Sequence, residues 1–417
     1  MSATRILVVG LNYAPEPVGI GPYSQGLAEA LAAQGREVAV ICGQPYYPRW
    51  QRYPGFSAGW TKAYEGGVSV TRCPHYIPAQ PGGLKRIVHL ASFALSALPA
   101  ALRAALRGKG ARPHVVIAVA PALLSVVTAW LAARIAGAKL WVHVQDFEAE
   151  AAVATGLLRR DSLPARLALW CERHILRLAD RVSTIGPQMA SRLVAKGVAP
   201  SRVTELRNWA DARFIPDPAG AAQLRSQWGL GTRTVALYSG NIALKQGIEV
   251  LVDAARLLQD RTDIAFVICG EGPSRAVLEH HAAGLDNLQL RDLQPAARMG
   301  AMLAMADLHL LPQIAGAADL VLPSKLTNML ASGKPVVATS EPGTGLSAEV
   351  DGCGVMSPPG DPAALAQSIA ALADDPAWRS ALGKAARQRA IERWQKDAIV
   401  GRWAEELDAL ADSRSLV

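Results

Sequence analysis

The chain has 417 residues, of which 50% are hydrophobic, so it can bury large cores and is predicted to form two domains. Its formal net charge of +8 is divided unevenly, because residues 1–208 hold 24 Lys and Arg against 11 Asp and Glu, whereas residues 209–417 hold 19 against 24. The cations of the first half favour an anionic partner. No nucleic-acid-binding motif accompanies them, so an anionic membrane surface or a diphosphate-linked lipid is a better candidate than nucleic acid.

The five cysteines are widely spaced and form no CxxC pair or Cys/His cluster, which argues against a disulfide framework and a zinc site. We therefore expect a reduced, cytoplasmic protein. The first residues, MSATRILVVG, enter a strand at once, so no signal peptide is expected.

In the first half, apolar or β-branched runs predict strands that are mostly followed by helical patterns, as in a doubly wound parallel sheet. They are predicted near residues 5–10, 37–43, 68–73, 114–120, 139–145, 181–185 and 203–207. The first strand leads into a Pro-rich loop in which Gly19 and Gly21 precede a helix. This loop is too long for a GxGxxG turn, which disfavours a nicotinamide-dependent enzyme.

Residues 115–133 form a run of 19 residues without a charge, close to the roughly 20 that span a bilayer. Pro121 divides the run. We therefore predict a buried strand followed by a helix with proline at its start, and a membrane span is the alternative.

Residues 84–109 predict an apolar helix with basic residues at both ends, namely Lys85, Arg86, Arg103, Arg107 and Lys109. Such a helix either packs on the first sheet with its ends solvated or lies in a membrane interface. A second basic stretch within residues 159–177 favours the membrane, with Leu90, Phe93 and Leu98 expected to enter it. The protein is therefore expected to be peripheral on the inner face of the cell membrane.

After a turn-rich linker at residues 208–219, strands alternate with helices again, which predicts a second doubly wound sheet. These strands are predicted near residues 233–239, 264–269, 287–291, 307–311 and 335–339.

The segment LPSKLTNMLASGKPVVAT, residues 322–339, carries the strongest functional signal. It predicts a helix capped by Ser324, with Lys325 in its first turn and Asn328 one turn further on, and Gly333 ends that helix before a buried strand. Backbone amides and a cation would converge there on an anion, as in a nucleotide-sugar site. An ordinary helix and strand is the alternative.

Other strand ends in this half also carry glycine and polar residues. Gly240 and Asn241 end one strand, with Lys245 shortly after them, and Gly270 and Glu271 end the next. Because ligands bind outside the carboxyl ends of strands in open α/β sheets, these motifs together predict one binding crevice.

Together these motifs resemble the family 4 retaining glycosyltransferases of the GT-B fold, in which two Rossmann-like doubly wound α/β domains face each other across a cleft. The resemblance covers nearly the whole chain, and the runs SKLTNML and VQDFEAEAAVATGLL are most similar to the fucosyltransferases of colanic acid biosynthesis and their exopolysaccharide relatives. It implies an acceptor- and membrane-facing domain at residues 1–208 and a nucleotide-sugar-binding domain at residues 209–385. A C-terminal helix at about 386–417 would pack back on the first domain.

The resemblance implies transfer of a sugar from a nucleoside diphosphate sugar to a glycan or polyprenyl-diphosphate-linked acceptor. Asp146 and Gln145 would be catalytic, and the loop with Gly19 and Gly21 would approach the donor phosphate and the acceptor. Donor binding would fall to Gly240, Asn241, Lys245, Gly270, Glu271, Asp319, Ser324, Lys325 and Asn328. Because no DxD pair or His/Asp cluster follows a strand, we expect no metal or other cofactor.

Several positions depart from the family pattern. Gln145 stands where a histidine is frequent, Asn241 where an arginine is usual and Gln246 where a lysine is usual, while Asn328 and Asp319 lie near the places of two glutamates. These departures put the ribose contacts in doubt and leave two alternatives open. They are a GT-B sugar-nucleotide epimerase and a catalytically silent nucleotide-sugar-binding subunit.

Overall fold

The structure is a computed structural model that describes residues 3–17, 19–80, 82–154, 159, 162–210, 216–242, 246–314, 323 and 325–413. The chain divides into two compact units. Unit 1 comprises residues 1–208 together with residues 397–417, and unit 2 comprises residues 209–396.

Unit 1 contains a sheet with the strand order β3-β4-β2-β1-β5-β6-β7-β8, which is parallel except for the antiparallel pair β3 and β4. Buried aliphatic residues fill its central strands, as expected for a sheet covered by helices. The strands are β1 (Arg5–Gly10), β2 (Glu37–Gly43), β3 (Thr61–Glu65), β4 (Val68–Cys73), β5 (Val115–Ala120), β6 (Lys139–Val144), β7 (Arg181–Thr184) and β8 (Val203–Glu205).

Unit 2 contains a parallel sheet with the strand order β11-β10-β9-β12-β13-β14. Its central strands are also buried on both faces, and three core clusters flank the sheet. The strands are β9 (Thr234–Ser239), β10 (Ile264–Cys269), β11 (Leu288–Arg291), β12 (Leu308–Leu311), β13 (Val336–Thr339) and β14 (Gly354–Ser357).

The helices of the described residues lie between these strands and after them. Asp217, Asp361 and Asp375 each start a helix, because the carboxylate accepts an amide proton three residues later while the next residue is a proline. The helices are α1 (Gly21–Ala33), α2 (Gly83–Ala105), α3 (Leu123–Ala136), α4 (Glu148–Ala154), α5 (Leu163–Arg177), α6 (Pro187–Ala195), α7 (Pro218–Gln227), α8 (Glu249–Leu257), α9 (Arg275–His281), α10 (Met299–Met305), α11 (Lys325–Ala331), α12 (Gly345–Val350), α13 (Pro362–Asp374), α14 (Pro376–Trp394) and α15 (Lys396–Asp412).

The sequence predicted the central strands closely but missed β3 and β14. Both are edge strands of their sheets. The residues of β3, TKAYE, alternate between exposed and half-buried positions, and β14 is a run of four residues, GVMS, that begins with glycine. Neither segment has the continuous apolar pattern on which the prediction relied.

Helix α2 is long and apolar enough to cross a membrane by length and composition, the single such helix in the described part of the chain. One face of α2 is nevertheless buried against the rest of unit 1. The expectation that Phe93 enters a membrane is wrong, because its side chain is fully buried in the core. Residues 115–133 form β5 and the start of α3, as predicted, and not a continuous span.

The end of the chain forms two helices, not one. Helix α14 packs on α11 within unit 2, and residues from Asp397 onward belong to unit 1. The returning segment therefore starts near residue 397 and not near 386. In unit 1, the Trp403 ring stacks on Trp141 of β6 with 4.9 Å between ring centroids.

Candidate functional site

The turns that follow β9 and β10 pack backbone against backbone at the carboxyl edge of the unit 2 sheet. The Gly240 amide donates to the Cys269 carbonyl at 3.0 Å. A Cβ on Gly270 would lie 1.9 Å from the Gly240 carbonyl oxygen, and one on Gly272 would lie 2.1 Å from the Ile242 carbonyl oxygen. Both turns therefore require glycine, and they bring the predicted residues Gly240, Asn241, Gly270 and Glu271 together.

Lys325 reaches this edge from the start of α11. Its Nζ donates to the Tyr238 hydroxyl at 3.0 Å and lies 4.3 Å from the centroid of the same ring. A Cβ on Gly240 would lie only 2.7 Å from this Nζ, so glycine leaves room for the ammonium group at the end of β9. Burial lowers the pKa of Lys325 to about 8. A partly desolvated cation attracts an anion more strongly than a solvated one does.

The other predicted donor residues differ in their surroundings. Asn241 is exposed, and its carbonyl accepts from the Tyr238 hydroxyl at 2.7 Å. Glu271 is exposed and forms an ion pair with Arg275 at 3.3 Å. Asn328 is half-buried one helical turn after Lys325, so the two residues share a face of α11. Lys245, Asp319 and Ser324 lie outside the described residues.

Two glutamines near this edge were not predicted as site residues. The side-chain Oε1 atoms of Gln246 and Gln313 are buried and have no hydrogen-bond partner among the residues that the structure describes. Gln313 follows β12, and its backbone N–H donates to the Thr339 hydroxyl at 2.8 Å, at the end of β13. Buried acceptors of this kind can receive protons from ligand hydroxyl groups. The position of Gln313 after an apolar strand was the signal that could have found it.

In unit 1, Gln145 belongs to a buried polar network. Its amide forms reciprocal hydrogen bonds with the Asn208 amide at 2.9 and 2.8 Å, and its Nε2 lies 3.0 Å from His143 Nε2. The other ring nitrogen of His143 lies 2.8 Å from the Ser183 hydroxyl. Burial lowers the pKa of His143 to about 3, so this imidazole is neutral. The network fixes the backbone at the end of β6.

Asp146 and Glu148 follow β6 and are two partly buried carboxyl groups. Burial raises the pKa of Asp146, and it raises the pKa of Glu148 to about 7, with Arg86 opposing the rise in both cases. Arg86 Nε lies 3.9 Å from Glu148 Oε1, which has no hydrogen-bond partner among the described residues. Glu148 is thus poised between its protonated and ionised forms near neutral pH, a property common at functional sites.

Helix α4, which begins two residues after Asp146, is held by a buried ion pair. Glu172 of α5 is almost fully buried, contacts the Lys196 ammonium and accepts the Ala149 amide proton at 3.1 Å. Lys196 also pairs with Glu150 at 2.6 Å. Because a buried charge is stable only when it is paired, this arrangement ties α4 to α5 and to the residues after α6.

The loop with Gly19 and Gly21 is anchored by the carboxylate of Glu16. Glu16 accepts the backbone amides of Tyr46 and Tyr47 at 3.0 and 2.9 Å. Gly19 has a φ of 74° and a Cβ there would lie 3.3 Å from the Tyr47 ring, while a Cβ on Gly21 would lie 3.0 Å from Glu16 Cβ. Gly19 therefore lets the loop after β1 pack closely on the loop after β2, and Gly21 lets the start of α1 pack closely on Glu16 within the loop after β1.

An aromatic cluster beside this loop was not predicted from the sequence. The Tyr46 ring lies 5.2 Å from the ring centroids of Trp50 and His75 and 4.8 Å from that of His89. Trp50 has a φ of 52°, which is rare for a bulky residue and is found where the surrounding structure imposes it. The rings of this cluster come from three separate segments, at residues 46–50, 75 and 89, so no local motif reveals the cluster.

No group of three or more His, Cys, Asp or Glu side chains could hold a metal ion among the residues that the structure describes. The expectation that no metal is needed remains a prediction.

Two family models match the chain. One is described as a glycosyl transferase 4-like domain and matches residues 18–209, and the other is described as glycosyl transferases group 1 and matches residues 221–389.

A curated relative, described as the colanic acid biosynthesis glycosyl transferase WcaI of Escherichia coli (strain K12), is 44% identical over 345 residues, which are 81% of this chain and 83% of that protein. Among solved structures, a sucrose-phosphate synthase from Thermosynechococcus elongatus matches with a TM-score of 0.75 at 20% identity. The match covers 98% of this chain and 100% of the synthase chain. Anabaena HepE in complex with UDP-glucose has a TM-score of 0.68 at 16% identity, covering 97% of this chain and 99% of its own. At these identities the two structures show a shared fold.

The pKa of Lys325 predicts how nucleoside diphosphate binding changes with pH. Because this pKa is about 8, the ammonium loses its charge as the pH rises through that value. We expect the affinity for a nucleoside diphosphate to fall by about tenfold between pH 7 and 9. Isothermal titration calorimetry checks this, with Lys325→Arg as the control that stays charged and gives a flatter profile. An equal fall in both proteins would show that another group titrates.

The raised pKa of Glu148 predicts that it destabilises the fold as the pH rises. Below the ordinary pKa of 4.5 the carboxyl is protonated in both the folded and the unfolded chain, whereas between 4.5 and about 7 only the folded state keeps the proton. Relative to Glu148→Gln, the parent should therefore lose about 3 kcal/mol of unfolding free energy from pH 4.5 to 8. Guanidinium denaturation of both proteins at each pH measures the difference, and parallel profiles would contradict the prediction.

Proposed function

The chain belongs to the group 1 glycosyltransferases of the GT-B fold, and on this basis we propose that it transfers a sugar from a nucleoside diphosphate sugar in exopolysaccharide biosynthesis. The curated relative WcaI is described as a colanic acid biosynthesis enzyme, which supports this role. Retention of the anomeric configuration and fucose as the sugar are proposed on the resemblance of the sequence motifs.

The observation that carries the donor assignment is the position of the Lys325 ammonium at the end of β9. It lies beside the two glycine turns, where a bound diphosphate can approach the backbone closely. A glycosyltransferase must stabilise the negative charge that develops on the leaving diphosphate, and a preorganised cation does so without rearrangement. The UDP-glucose bound in HepE supports the same class of donor.

In the proposed reaction, the bond between the anomeric carbon and the diphosphate oxygen breaks, and a bond from the acceptor oxygen to that carbon forms. Lys325 neutralises the departing diphosphate. Asp146 accepts the proton of the acceptor hydroxyl, and burial, by raising its pKa, makes it a stronger base than an exposed aspartate. Gln145 has a supporting role, since its amide is engaged with Asn208 and His143.

The two alternatives differ in their support. None of the comparisons favours a sugar-nucleotide epimerase. A silent binding subunit would retain the donor site but form no product, so product analysis separates it from a transferase.

We expect product formation with one nucleoside diphosphate sugar of a panel that includes the fucose donor, when lipid diphosphate-linked sugars are offered as acceptors. Mass spectrometry identifies the product. Incubation of each donor without an acceptor tests for epimerisation.

The proposed charge stabilisation relies on Lys325 and not on a metal. Excess chelator should therefore leave the transfer rate within about twofold, whereas Lys325→Ala should remove about 2 to 4 kcal/mol of transition-state stabilisation and slow transfer accordingly. A rate abolished by chelator and restored by magnesium would refute metal independence.

We further propose that unit 1 binds an anionic membrane surface. The outward face of α2 exposes large apolar side chains, with Leu84 at 74% and Leu95 at 69% of full exposure. Helices α2 and α5 both contact α3, and α5 exposes Leu167 and Trp170 beside basic residues. Exposed apolar residues interleaved with cations fit a membrane interface, where the former enter and the latter meet lipid phosphates.

Acidic vesicles test this docking. The parent should sediment with phosphatidylglycerol vesicles at low salt and less with neutral ones, because each cation near the surface contributes about 1 kcal/mol. Neutralising Lys85, Arg103, Arg107 and Lys109 together should release most of the protein, and Leu84→Ser with Leu95→Ser should weaken binding without changing charge. Equal sedimentation of the parent and both variants would contradict the proposal.

A further inference from the structure

Arg86 has an unusual set of contacts for a basic residue of α2. Its side chain is 46% exposed, and among the described residues it makes no hydrogen bond. Its one ion-pair contact among the described residues is with Glu148 Oε1, at 3.9 Å, which is beyond hydrogen-bond distance. The adjacent Lys85 is exposed and has no such carboxylate beside it in the part of the chain that the structure describes.

The Arg86 guanidinium and Glu148 Oε1 thus leave complementary hydrogen-bonding capacity unused. A guanidinium offers five donors in a planar fork that matches a phosphate group. Glu148 Oε1 is buried and offers an acceptor that has no donor among the described residues. Asp146 lies two residues earlier, at the end of β6.

A ligand that satisfies both groups must carry phosphate oxygens for Arg86 and a hydroxyl for Glu148. A neutral glycan would leave the guanidinium without an anion, and a fully ionised phosphate group alone would leave the carboxyl without a donor. We propose that Arg86 and Glu148 bind the acceptor as a sugar phosphate ester, with the phosphate on Arg86 and a sugar hydroxyl on Glu148. This rests on the proposed transferase function and decides between its two acceptor classes, in favour of the phosphate-linked acceptor over the neutral glycan.

The same proposal separates Arg86 from the membrane-docking cations. Lys85 precedes it in the first turns of α2 and carries the same charge, so a general electrostatic effect on an anion would be similar for both residues. Specific phosphate recognition depends on Arg86 alone.

Binding measurements by isothermal titration test the inference without requiring transfer. The background variant is Lys325→Ala, which disables the proposed donor phosphate site, and the probes are farnesyl diphosphate, glucose 1-phosphate and methyl glucoside. In this background Arg86→Ala should weaken both phosphate probes by about tenfold to a hundredfold, the range for a charge-assisted contact, while Lys85→Ala should change them by less than about twofold. Methyl glucoside should show no dependence on Arg86.

Glu148→Gln tests the second contact, because glutamine keeps the size of the side chain but cannot carry its negative charge. It should weaken glucose 1-phosphate more than farnesyl diphosphate, which has no sugar hydroxyl. Tighter binding of farnesyl diphosphate than of glucose 1-phosphate would identify a lipid-linked source of the phosphate, and the reverse would identify a soluble sugar phosphate. Circular dichroism of each variant, with Arg86→Gln as a second replacement, confirms that the fold is intact.

Equal losses in Arg86→Ala and Lys85→Ala, or no binding of either phosphate probe to the Lys325→Ala background, would overturn the inference. Its failure is distinct from failure of the transferase proposal. Sugar transfer that persists unchanged in Arg86→Ala would leave the function standing and remove Arg86 from acceptor recognition. Phosphate binding that depends on Arg86 in a protein that forms no product would support the phosphate site and contradict the transferase proposal.

Discussion

The site in unit 2 depends on the absence of side chains at the turns after β9 and β10. Carbonyl oxygens of one turn occupy the positions that a Cβ of Gly270 or Gly272 would need, at 1.9 and 2.1 Å, and the Lys325 ammonium occupies the space beside Gly240. No side-chain rotation can relieve a clash with backbone, so a substitution must separate the turns. The ammonium is thereby fixed before any ligand arrives, which is the condition for efficient electrostatic stabilisation of a leaving group.

Unit 1 fixes its polar groups differently, through desolvated charges and hydrogen-bond networks. The buried Glu172 carboxylate holds both Lys196 and the first turn of α4, and the Gln145 network holds the end of β6. Breaking a buried ion pair leaves a charge without compensation, which typically destabilises a protein by about 3 to 5 kcal/mol. The carboxyls that follow β6 therefore keep their raised pKa values in a rigid setting.

The sequence was informative where its pattern is local. Continuous apolar strands, the glycine turns and the basic start of α11 could all be predicted, because strand burial and helix capping leave marks on adjacent residues. The edge strands β3 and β14 lacked that pattern. The unpaired acceptor of Gln313, the aromatic cluster around Tyr46 and the contact of Arg86 with Glu148 arise between segments distant in sequence, and no spacing rule encodes them. Phe93 was misassigned because apolar residues occupy both faces of α2, and only packing shows which face is buried.

The return of residues 397–417 to unit 1 makes unit 2 an insertion within a discontinuous domain. Trp403, which stacks on Trp141, is synthesised only after the last residue of unit 2. Unit 2 is contiguous in sequence, whereas unit 1 must wait for the segment that begins at Asp397, with the Trp141 face of its sheet uncovered until then. Unit 1 therefore cannot be complete until the chain has been made beyond Trp403, and Trp141 is the surface that a chaperone would have to protect in the interval.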